Sequence, residues 1–132
     1  MDLACVQAHI QQSLPGLIAI YLFGSQATGE AIATSDVDLA VLVQGKIEPL
    51  RLWELAGELA DIVHRPVDLV DLRAASTVMQ HQIVSNGHRL WACPGIDVGT
   101  YELFIFSEKM KLDEARAGLL DDISKDGRIY GR

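Results

Sequence analysis

Gly24 and Ser25, then ten residues, then Asp36-Val37-Asp38 form the spacing in this chain that reads most clearly as chemistry. Side chains alternate along a strand, so acidic residues two apart share a face, roughly 6–7 Å from each other. On a strand whose other positions are apolar, two carboxylates repel each other and lose hydration. A divalent cation removes both penalties, and hard oxygen donors suit magnesium. At the other end of the motif, glycine lets the backbone come close to a ligand. The Ser25 hydroxyl and the amides after it suit phosphate oxygens, especially where residues 25–27 open a short helix. A phosphate cradle beside a metal pair describes a site for a metal–nucleotide complex.

A two-metal site normally takes a third carboxylate. Asp68 and Asp71 lie in the next apolar run, on opposite faces by parity. Asp68 comes early in its run, as Asp36 and Asp38 do in theirs, and is the expected third ligand. Asp71 is expected to cap the following helix or meet solvent. Gly29 suits a turn of positive φ, and Ser35 or Thr34 suits a bond to an amide near Asp36. His9, His64, His81 and His88 have no metal-ligand spacing and read as surface or helix-end residues. Neither Gly-x-Ser-x-Gly nor a P-loop lysine is present. Arg51, Arg65, Arg73 and Arg89 are scattered, and none is singled out for a triphosphate.

These residues need elements to hold them. Leu3, Val6, Ile10 and Leu14 recur at helical spacing, and Pro15-Gly16 ends that helix. Residues 17–23 are the first strand, 24–34 a turn with a short helix and loop, and 36–43 the second strand. A helix starts near Pro49 and stops at Arg65-Pro66. Its stripe is Leu52, Leu55, Leu59 and Ile62, widened by Trp53, Ala56, Ala60 and Val63. Residues 67–72 are a third strand and 73–86 a helix of weak apolar pattern. A short strand at 88–92, a helix at 99–122 and a polar tail at 124–132 complete the chain. Strands separated by helices predict an α/β (α+β) fold, a small mixed sheet flanked by helices.

The length, 132 residues, suits one domain with a core of its own. The formal net charge of −7 argues against non-specific nucleic-acid binding, which needs a basic footprint. It does not exclude a nucleotide held through magnesium. No apolar run has the length of a membrane span, and residues 1–10 have no basic segment leading into one. Cys5 and Cys93 lack any disulfide-framework spacing. A cytoplasmic protein is expected. The last helix carries Tyr101, Leu103, Phe104, Ile105 and Phe106, apolar nearly all round, so part of residues 99–132 is expected to meet a partner.

Two metals on paired aspartates activate an oxygen nucleophile and neutralise departing pyrophosphate. The expected reaction is transfer of a nucleoside monophosphate to a hydroxyl. Asp36, Asp38 and Asp68 take the catalytic and metal roles; Gly24, Ser25 and Ser35 take the nucleotide.

With these residues in view, GSQATGEAIATSDVDLAVLV resembles the nucleotidyltransferase signature, a hydrophobic residue and Gly-[Gly/Ser] followed by Asp-x-Asp. SDVDLAVL, VDLVDLRAAST and the brevity of the chain resemble the minimal nucleotidyltransferases. Within those it is most similar to the MntA-type antitoxins encoded beside HEPN-domain toxins. The resemblance implies a mixed sheet with helices, two magnesium ions, ATP as donor of AMP, and a tyrosine of a HEPN ribonuclease as acceptor. It implies metal ligands at Asp36, Asp38 and Asp68 and phosphate contacts at Gly24 and Ser25. Many relatives carry arginine in the segment after Gly-Ser, where this chain has Gln26-Ala27-Thr28-Gly29. Two other readings stand beside it: transfer to a small hydroxyl compound, and an antitoxin that acts by binding alone.

Overall fold

The structure, a computed structural model, describes residues 2–29 and 36–125. Its elements are α1 (Leu3–Ser13), β1 (Leu17–Phe23), α2 (Ser25–Thr28), β2 (Val37–Val43), α3 (Pro49–Val63), β3 (Val67–Asp71), a 3-10 turn (Leu72–Ala74), α4 (Thr77–Asn86), β4 (His88–Ala92) and α5 (Val98–Lys125). The four strands form one mixed sheet in the order β3-β2-β1-β4. β1 runs antiparallel to β2 and β4, while β2 and β3 are parallel and joined through α3. The expected mixed sheet with flanking helices is the fold observed.

Parity along β2 divides the molecule. Val37, Leu39, Val41 and Val43 face a core closed by Val6 and Ile10 of α1 and Leu55, Leu59 and Val63 of α3. Ala40 and Leu42 face the second core, with Ile83 of α4 and Val98 and Ile105 of α5. Each fully buried leucine or isoleucine contributes roughly 1.5–3 kcal/mol. Polar links hold the helices in place. His9 Nε2 lies 2.7 Å from Glu58 Oε1, joining α1 to α3. Tyr21 in β1 donates to Glu102 Oε2 at 2.7 Å, and Arg89 donates to Glu102 Oε1 at 3.3 Å, fastening α5 to the sheet. Burial and the neighbouring carboxylate push the Tyr21 hydroxyl far above its usual range, so it stays a donor.

Several boundaries differ from expectation, most of them for a local reason. β2 begins at Val37, whose amide donates to Pro66 O at 2.9 Å, so Asp36 precedes the strand. β3 stops at Asp71, and the helix expected from residue 73 starts at Thr77. Asp71 turns the chain by accepting from Arg73 N at 3.2 Å, and Ser76 caps α4 by accepting from Met79 N at 3.2 Å. Asp71 therefore caps, and it is 5% exposed rather than solvated, taking a second bond from Ile47 N. Trp53 does not widen the α3 stripe: it is 74% exposed, two residues off the buried line of Leu55, Leu59 and Val63. α5 starts one residue early, at Val98, and runs to Lys125. Among the described residues no helix is long and apolar enough to cross a membrane.

Candidate active site

The parallel register of β2 and β3 sets Asp38 directly beside Asp68. The antiparallel register of β1 and β2 sets Phe23 opposite Asp38, so Gly24 follows at the same level. Asp38 shares its parity with Ala40 and Leu42, which places it on the α4–α5 face of the sheet. Asp68 has the same parity as its register partner. The carboxylates and the glycine turn thus meet at one corner, where β1 ends and β2 and β3 begin.

Gly24 is required there twice over. Its φ of 69° with ψ of −150° is a conformation essentially confined to glycine. A Cβ at this position would collide with the Asp38 carboxylate, Oδ2 foremost. Ser25 opens α2, and Ala27 N donates back to Gly24 O at 3.1 Å. Gly29 ends the turn at φ 79°, the positive value expected of it. Ser35, expected to help hold the nucleotide, lies outside the described residues, as does Thr34.

Partial burial raises the Asp38 pKa first, then the charge of Asp68, then that of Asp36. Asp36 is exposed, in the segment leading into β2. No cationic side chain among the described residues is paired with these three acids. Arg51 bonds Glu58 at 3.2 Å, Arg89 bonds Glu102, and Arg73 stacks 5.2 Å from the Tyr101 ring centre. A corner of acidic oxygens with no cationic partner among the described residues, beside a cradle that a Cβ would fill, fits a hard divalent cation. The described residues do not form a ready cluster of three or more His, Cys, Asp or Glu donors. Asp38 and Asp68 are the assembled part; Asp36 stands outside the strand.

His88 was not singled out by sequence reasoning. Its Nε2 lies 2.9 Å from Ala27 O, bracing the turn that follows Gly24. The two residues are 61 positions apart, and only the pairing of β4 with β1 brings them together.

A second surface lies on α5. Tyr101 and Ile105 turn inward. Leu103, Phe104 and Met110 are each more than three-fifths exposed, so the apolar excess in this helix is not absorbed by the fold.

Residues 7–93 match the model of the family "Polymerase beta, Nucleotidyltransferase". The protein adenylyltransferase MntA of Shewanella oneidensis is 39% identical over 117 residues, covering 86% of this chain and 81% of that protein. A solved toxin–antitoxin structure with AMP-PNP is similar at 35% identity and a TM-score of 0.84, over 94% of this chain and 99% of the other. A solved complex of tri-AMPylated Shewanella oneidensis HEPN toxin with MNT antitoxin is similar at 34% identity and a TM-score of 0.75, over 92% and 94%. Taken with the corner built by β1, β2 and β3, these likenesses mean that the chain belongs to the polymerase beta nucleotidyltransferase family, beside the MntA protein adenylyltransferases.

Proposed function

We propose that this protein is an antitoxin that moves AMP from ATP to a tyrosine hydroxyl of a partner HEPN-domain ribonuclease and so silences it. The observation that carries the reading is the register of Asp38 with Asp68 under the Gly24 turn. The whole chain works as one nucleotidyltransferase domain, with residues 99–132 giving the partner contact, and it acts in the cytoplasm. The solved relative described as a tri-AMPylated HEPN toxin with its antitoxin supports the acceptor class. The relative solved with AMP-PNP supports ATP as donor.

Gly24 and Ser25 hold the β- and γ-phosphates, and His88 keeps their turn in place. Asp36, Asp38 and Asp68 would hold two magnesium ions, which would offset charge on the phosphates and lower the pKa of the attacking hydroxyl. Asp68, exposed at the sheet edge, holds the metal on the nucleophile side or helps to remove the hydroxyl proton. The acceptor oxygen forms a bond to the α-phosphorus as the bond from that phosphorus to the bridging oxygen breaks. Pyrophosphate leaves with the electron pair.

A small hydroxyl compound as acceptor is the second reading. The exposed rings of α5 favour a protein instead, because a small acceptor has no use for them. The test is α-labelled ATP with the HEPN partner, with and without a chelator. Label on the partner, lost with chelator, is expected. Label that reaches only small hydroxyl compounds, or transfer that ignores the chelator, counts against the reading.

A further inference from the structure

α4 lays a mixed face against the end of β1. Met79, Gln82, Ile83 and Asn86 fall at i, i+3, i+4 and i+7, one side of a helix. With Phe23 and Gly24 they line a cavity of about 310 Å³. Gly24 is common to this cavity and to the Asp38 corner, and both lie on the α4–α5 face of the sheet. The volume is at the lower end for sites of small organic ligands, roughly 300 Å³ upward.

The lining has two chemistries. Phe23, Met79 and Ile83 offer apolar walls, and Ile83 is fully buried. Gln82 and Asn86 are exposed, and neither side-chain amide has a hydrogen bond among the described residues. A helix face that served only to close the core would be apolar at these positions. The walls are also firmly placed. Gly87 sits so close to β1 that a Cβ there would collide with Ile83 O and lie 2.9 Å from Leu22 O. Other cavities among the described residues open elsewhere: around Leu42, Arg73 and Phe104, around Lys46, and on the outer flank of α3.

We propose that this cavity receives the purine base of the nucleoside triphosphate, and that Gln82 and Asn86 select adenine over guanine. The proposal rests on the nucleotidyltransferase reading above. The α-phosphorus lies beside Asp38, whose carboxylate reaches Gly24, so the nucleoside, on the far side of that phosphorus from the β- and γ-phosphates, starts at the corner where the cavity opens. Phe23 and Met79 flank a flat ring. A primary amide donates to N7 of adenine and accepts from its exocyclic amine, an edge where guanine shows two acceptors, N7 and O6. Guanine has a carbonyl in that place, which leaves the amide oxygen facing another acceptor.

The test is calorimetric titration, in excess magnesium, of ATP, GTP and inorganic tripolyphosphate into the whole chain. The variants are Gln82→Ala with Asn86→Ala, and separately Met79→Trp, which fills the cavity; thermal melts check that both fold. Expected in both variants is ATP affinity lower on the order of tenfold. The alanine pair also brings the ATP-to-GTP ratio near one, and tripolyphosphate binding is unchanged throughout. Folded variants with unaltered ATP affinity and ratio overturn the proposal and leave the reading of the chain standing. Parallel loss of tripolyphosphate would assign these residues to the phosphate turn, and weaker partner binding at constant ATP affinity would assign the cavity to the acceptor; either overturns the base assignment. A wild-type chain that binds neither nucleotide nor tripolyphosphate overturns the underlying reading and the proposal with it.

Discussion

The two faces of the sheet are built from the same strands and do different work. Toward α1 and α3, β2 presents Val37, Leu39, Val41 and Val43, and everything opposite is aliphatic. Toward α4 and α5 it presents Asp38, Ala40 and Leu42, and there the aliphatic core also holds the hydrogen-bonded Tyr21 and borders a cavity that reaches Gly24. Alternation at a period of two lets one strand stabilise the fold on one side and aim a carboxylate on the other. Stability and chemistry should therefore respond to different substitutions.

Leu59→Ala strikes the closed face. It leaves a cavity under α3 and should cost about 2–5 kcal/mol in denaturant unfolding, with AMP transfer per folded molecule retained. An equal fall in the specific activity of the folded fraction would mean that the faces are not independent. Gly24→Ala strikes the open face. The added methyl group has to displace the Asp38 carboxylate and the backbone has to leave its glycine conformation, so transfer should fall on the order of 10²-fold. The unfolding midpoint should move far less than for Leu59→Ala; normal transfer would show that the turn and Asp38 are not in contact during the reaction.

Phe104→Asp sharpens the comparison further out on the open side. Unfolding of the isolated chain should change by no more than about 0.5 kcal/mol, since the ring is exposed. Affinity for the HEPN partner should drop at least about tenfold in a titration. An unaffected complex would mean that the rings of α5 are not the contact.

The smallest effect belongs to the closed face and to pH. The hydrogen bond from His9, followed by that from Arg51, lowers the Glu58 pKa below its ordinary value. A carboxylate with a depressed folded pKa stabilises above its unfolded pKa and loses that contribution as pH falls through the folded value. Melting temperature should thus decline slightly faster below the usual glutamate range than in Glu58→Gln. Parallel curves would remove the α1–α3 strap from the account.

What the sequence reveals of this architecture follows from how local each signal is. The strands, α1 and α3 show because their periods repeat within a few residues. Asp38 and Asp68 are legible as partners because both open an apolar run with the same parity. The stripe of α4 is weak in sequence because its face looks into a cavity beside Gly24, so Gln82 and Asn86 occupy positions where a core helix carries aliphatics. His88 is invisible, since its hydrogen bond to Ala27 O depends on β4 lying beside β1. Asp71 reads correctly as a cap, but its second bond to Ile47 N, from a loop 24 residues away, is what buries it.

The most direct measurement is neutralisation of the HEPN partner by the chain carrying Asp36→Asn and Asp38→Asn. Both the melt and complex formation should be unchanged, while AMP transfer and neutralisation are lost. Full neutralisation by that variant, with no AMP on the partner, would contradict a catalytic role for this corner and leave an antitoxin that acts by binding alone.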